Sequence, residues 1–82
     1  MGKENDMIKI ISKYINKSDE YIKDELLDCD VFGNKLNFTA IMLLELLSLF
    51  EKEFGKKLGY DTIKDLNKIT LRIIINLYME VE

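Results

Sequence analysis

Few side chains in this sequence could do chemistry. Cys29, between Asp28 and Asp30, is the one thiol, and there is no histidine. A reactive thiolate needs positive charge nearby to lower its pKa, and two flanking carboxylates do the opposite, so Cys29 reads as an incidental loop cysteine. One cysteine and no histidine give neither an internal disulfide nor a recognisable metal-ligand spacing. General acid–base work also loses its commonest agent. Gly55-Lys56-Lys57-Leu58-Gly59 has neither the spacing nor the Lys-Ser/Thr ending of a phosphate-cradling loop. Tyr14, Tyr21, Tyr60 and Tyr78 are scattered and no basic stripe accompanies them, so they make no stacking platform for nucleic acid. These residues offer no recognisable catalytic constellation and predict no nucleic-acid binding.

The chain that must position them has 82 residues, 12 Lys+Arg against 15 Asp+Glu, and 48% hydrophobic content, which predicts one soluble globular domain over residues 1–82. A core of that size covers roughly 60% of the unfolded surface and leaves little for a deep catalytic cleft. The start, MGKENDMIKI, lacks the apolar run of a signal peptide, and no stretch approaches the roughly 20 apolar residues that span a bilayer. A cytoplasmic, reducing location without membrane insertion is expected.

Apolar residues Met7, Ile8, Ile10, Ile11, Tyr14 and Ile15 recur at helical steps and predict a first helix over about 6–16, with Asn5 or Asp6 as its cap. Residues 18–30 carry six acids against the single Lys23, a net −5, and read mainly as a long solvated connection with room for a short helical turn. The run TAIMLLELLSLFEKEF, closed by Gly55, is rich in strong helix formers. Thr39 suits its N-cap, and Lys56 and Lys57 complement its negative end. Leu43, Leu44, Leu47, Phe50 and Phe54 are its expected core residues. A short helix is predicted over 61–66 and a last one over 69–81, with Ile73, Leu77 and Val81 on one stripe and Ile74 and Tyr78 beside it. A strand through Ile73-Ile74-Ile75 would need a partner strand, and the sequence offers none.

The string Leu44-Glu45-Leu46-Leu47 followed by Glu51-Lys52-Glu53-Phe54-Gly55 closely resembles the second helix of acyl and peptidyl carrier proteins, approximately D-S-L-x-x-V-E-L-V-x-x-L-E-E-E-F-G. Glu45 falls on that pattern's first Glu, Phe50 on the Leu before the acidic triplet and Phe54 on the closing Phe, with Leu58 as the next apolar position. An isoleucine-rich first helix, an acidic first loop and a short third helix agree with the same family. The resemblance runs from about residue 6 to 81, and residues 39–58 carry its specific part. It implies an all-α, small four-helix bundle of acyl-carrier-protein type: three longer helices, one short helix and a long first loop.

In that family the serine of D-S-L carries a phosphopantetheine arm through a phosphodiester, and the arm's thiol holds intermediates as thioesters. Counting back from Phe54 places this serine position at Ala40, with Thr39 in place of the Asp and Ile41 in place of the Leu. A threonine can replace the Asp as a cap. Alanine has no hydroxyl to attack coenzyme A, so the cofactor cannot attach to Ala40. Thr39 is no substitute, being about 100° away around the helix. The intact flanking pattern favours a deliberate Ser→Ala replacement in a carrier of fatty-acid, polyketide or nonribosomal-peptide type; a natural armless carrier-like interaction or regulatory module is the alternative.

The resemblance further implies a monomer whose partners are a phosphopantetheinyl transferase and the loading, condensing or modifying enzymes of a pathway. Thr39, Ile41, Met42 and Glu45 flank the arm position and are the expected contacts. Met42 stands where the pattern often has an acid and Lys52 interrupts the acidic triplet, so recognition should rest more on apolar contact than on salt-sensitive steering. The cargo is chosen by enzymes outside this chain.

Overall fold

Helix formers between two explicit stops set the longest element. In the computed structural model, which describes residues 2–55, 60–63 and 65–80, they form α3 (Ala40–Phe54). Thr39, in extended backbone, caps it, its hydroxyl accepting the Met42 N–H at 3.1 Å. Gly55 ends it at φ +71°, a left-handed conformation that glycine adopts without the penalty of a Cβ. Both expected stops are therefore present, while Lys56, Lys57 and Leu58 lie outside the described residues. Removing the cap by Thr39→Ala should cost about 1 kcal/mol, read as a lower urea midpoint with an unchanged slope.

The other elements are α1 (Gly2–Ile15), α2 (Asp19–Tyr21), α4 (Tyr60–Ile63) and α5 (Leu71–Glu80). α1 begins earlier than its apolar pattern indicates, so Asn5 and Asp6 are inside the helix and do not cap it. It ends before Asn16, which takes φ 60° while the Lys17 N–H returns to the Ser12 carbonyl at 3.2 Å. That is a left-handed helix stop, and asparagine tolerates it better than most residues.

The acidic connection is more ordered than a solvated loop. Ser18 caps α2 by accepting the Tyr21 N–H at 3.1 Å, and the chain continues through one wide helical turn, Ile22–Leu26, closed by Leu27 N–H to the Ile22 carbonyl. This turn buries Ile22 and Leu26, with Leu27 behind them. Val31 N–H then donates to the Ile69 carbonyl at 2.8 Å and Arg72 N–H to the Leu27 carbonyl at 3.0 Å, which fastens the connection to the start of α5. Thr70 caps that start through the Ile73 N–H. α5 accordingly begins two residues later than expected, and residues 65 and 66, expected at the end of the short helix, are not helical.

The acids along this segment are largely engaged. Asp19 lies 3.6 Å from Lys9, Glu25 3.3 Å from Lys35, and Asp28 2.7 Å from Arg72. The Arg72 guanidinium, hydrogen-bonded to Asp28, holds that carboxyl below the usual carboxylate range. Its stabilisation is present above the unfolded value of about 3.9 and is lost as pH falls through the lower folded value. Asp28→Asn should therefore lower stability slightly at neutral pH and leave it nearly unchanged in acid, which flattens the acid limb of a stability–pH curve; the effect is small because the pair is exposed.

The core gathers Met7, Ile8 and Ile11 from α1, Leu43, Leu46, Leu47 and Phe50 from α3, and Leu71, Ile74, Ile75 and Tyr78 from α5, with Ile63 of α4 fully covered. Phe50 meets Tyr78 edge to face at 5.2 Å, and the Tyr78 hydroxyl donates to the Leu47 carbonyl at 3.1 Å. One expected core face is corrected, and the pattern of the last helix gains a buried side. In α3, Leu44 is 45% exposed and Leu46 is buried. At about 100° per residue Leu46 lies nearer than Leu44 to the line through Leu43, Leu47 and Phe50. In α5 the buried face is the Ile74 and Tyr78 side; Ile73 and Leu77 are only half-buried, and Val81 lies outside the described residues. The molecule is an all-helical bundle, and among the described residues its one bridge of strand type joins Asp30 to Thr70.

Candidate functional site

The first two turns of α3 present the side chains singled out by the sequence. Thr39, Ala40, Ile41 and Glu45 are exposed there, Ile41 by 69%, while Met42 is half-buried. The surface is apolar where a typical helix start would be acidic or polar, and Leu44 and Leu49 extend it along α3. Leu44, expected inside, thus belongs to the exposed face.

Ala40 is the first residue of the helix and supplies only a methyl group. The adjacent Thr39 hydroxyl is already the acceptor that closes the helix start. The residues present at this end do not fit a covalently held phosphopantetheine.

Glu45 is engaged from α1. The Tyr14 hydroxyl donates to Glu45 Oε1 at 2.5 Å and lies 3.3 Å from the Met42 carbonyl oxygen. Phe38, buried just before the cap, meets the Tyr14 ring edge to face at 6.1 Å. Desolvation first, then the hydrogen bond and negative charge of Glu45, push the Tyr14 hydroxyl up to about 12. The residue that fixes the geometry of this end is therefore Tyr14, which the sequence marks only as one more apolar position of the first helix. The signal that could have found it is its place in the last turn of α1, where a hydroxyl can reach a neighbouring element.

The Tyr14 shift predicts a measurable pH dependence. A phenol held protonated in the fold stabilises it fully below the unfolded value of about 10, and this contribution declines as pH rises through 10 toward the folded value. In an absorbance titration Tyr14 should ionise above the ordinary tyrosine value, and Glu45→Gln should bring it earlier without restoring it fully, since desolvation remains.

Among the described residues, no group of three or more Cys, Asp or Glu could hold a metal ion, and no helix is long and apolar enough to cross a membrane. Cys29 is half-buried and its Sγ donates to the Glu25 carbonyl at 3.0 Å. Compared with family models, curated proteins and solved structures, the chain matches none.

Proposed function

We propose that this chain is a carrier-type protein of the acyl or peptidyl class, not itself an enzyme, whose arm-attachment position is Ala40 and which therefore holds no arm as written. The observation that carries the reading is the carrier-like string ending in Phe54-Gly55, which counts back to Ala40, an exposed residue opening a Thr39-capped helix. A serine hydroxyl at that position would stand at the positive end of a helix of 15 residues, a favourable place for a phosphodiester. In the serine form the role is tethering: an attached intermediate meets each pathway enzyme at a raised local concentration. Thr39, Ile41, Met42 and Glu45 form the docking end, and the Tyr14 bond orients Glu45 within it. The bundle acts as a cytoplasmic monomer.

The exposed apolar residues Ile41, Leu44 and Leu49 favour one second reading, because a docking face of this kind works without an arm. On it the chain is an armless module that engages a carrier's enzymes or regulates them. Incubating an Ala40→Ser variant with coenzyme A and a broad-specificity phosphopantetheinyl transferase separates the two, since only the first reading predicts modification.

A further inference from the structure

The ring of Tyr14 also forms part of a cleft of about 440 Å³ bounded by the C-terminal end of α1, Tyr21, Leu36 and Phe38, and Met42 at the start of α3. Its size is that of a small-molecule site, for which roughly 300–1,000 Å³ is usual. Three aromatic rings, Tyr14, Tyr21 and Phe38, and the Met42 thioether line it. Tyr21 is 43% exposed, so its ring is available to a ligand. Among the described residues lining the cleft, the charged ones are Lys17 and Lys35, and none is a carboxylate. Lys35 is already paired with Glu25 at 3.3 Å. Lys17 stands 5.8 Å from the Tyr21 ring centroid, and the ion pairs among the described residues do not include it.

Aromatic walls with one cation at the edge, held over the Tyr21 ring and outside the described ion pairs, define a ligand chemistry. We infer that this cleft binds a small aromatic anion, its ring packed against Tyr21 and Met42 and its carboxylate on the Lys17 ammonium. Ring faces and a thioether favour a flat aromatic body over a flexible aliphatic one, because offset stacking and sulfur contacts add to simple burial. The anionic group follows from the charge of the lining. A second groove that Tyr14 also lines lacks this combination: among its described lining residues are Lys13 and Lys52 but also Glu53, and Tyr14 is the one aromatic. The inference is independent of whether residue 40 carries an arm.

The test uses the chain as it stands, titrated with 2-naphthoate and followed by amide NMR shifts and calorimetry. One saturable site is expected, with shifts concentrated at residues 14–21, 35–38 and 42. The uncharged isostere 2-naphthamide should bind about tenfold more weakly, and Lys17→Gln should weaken 2-naphthoate about tenfold, the effect of one charge-assisted contact. Lys17 is exposed and glutamine keeps the backbone N–H that closes α1, so this variant retains the fold. Lys13→Gln, on the other groove, should leave affinity unchanged. Absence of saturable binding, equal affinity for the amide, or an equal loss in Lys13→Gln would each overturn the inference.

Discussion

Phe50→Ala should cost the fold about 3–5 kcal/mol. Phe50 is fully buried, packs edge to face on Tyr78 and meets Phe54 at 6.3 Å between ring centroids. Truncating a buried phenylalanine removes its transfer energy and leaves a cavity, together about 3–5 kcal/mol. At roughly 0.05–0.15 kcal/mol per residue a domain of this length has about 4–12 kcal/mol in total. The loss therefore consumes most of the stability at the lower end of that range. A bundle this small has little room to collapse around the hole, because α1, α3 and α5 share one core. Far-UV circular dichroism with urea denaturation reads the effect directly. Phe54→Ala, at a half-buried position one turn on, should cost clearly less. A loss below about 1 kcal/mol for Phe50→Ala would mean that this ring is not central to the core.

The contrast between Phe50 and Leu44 shows how much of the architecture could be read in advance. Thr39 and Gly55 are stops whose chemistry is local, a hydroxyl acceptor and a residue free to adopt positive φ, so the bounds of α3 are legible from the string alone. The identity of its buried face is not. From Ala40 to Phe50 only Glu45 and Ser48 are polar, so hydrophobicity barely distinguishes one side from another. Only the positions of α1 and α5 decide that Leu46 turns in and Leu44 turns out. Residues 18–30 illustrate the opposite error. Their charge suggests a solvated connection, yet Ile22, Leu26 and Leu27 are enough to anchor a helical turn once the Leu27 carbonyl and the Val31 N–H find partners around α5. Those partners are more than thirty residues away, beyond the reach of local pattern.

At the candidate site, sequence spacing placed Thr39, Ala40, Ile41 and Glu45 at one end of one helix, and the fold exposes them there. What spacing could not supply is the tertiary contact. The Tyr14 hydroxyl joins Glu45 across 31 positions of sequence, and the same ring forms one wall of the cleft beneath Met42. The exposure of Ile41, Leu44 and Leu49 likewise appears only once the core has taken Leu43, Leu46 and Leu47. On the carrier reading Ile41 and Leu44 are the apolar residues a docking enzyme would meet, and their chemistry predicts association that weakens little as salt is raised.

The carrier reading makes an all-or-none prediction about one atom. Ala40→Ser adds a single hydroxyl oxygen at an exposed helix start whose cap, Thr39, is unchanged, so the fold should be retained and the new nucleophile accessible. Thr39 supplies an internal control, because its hydroxyl is already present one residue earlier and is committed to the Met42 N–H. The decisive measurement is the intact mass of the Ala40→Ser chain and of the unchanged chain after incubation with coenzyme A and a broad-specificity phosphopantetheinyl transferase. The account predicts the gain of one phosphopantetheine on the serine variant and none on the unchanged chain. A folded Ala40→Ser chain that gains nothing would contradict the carrier reading.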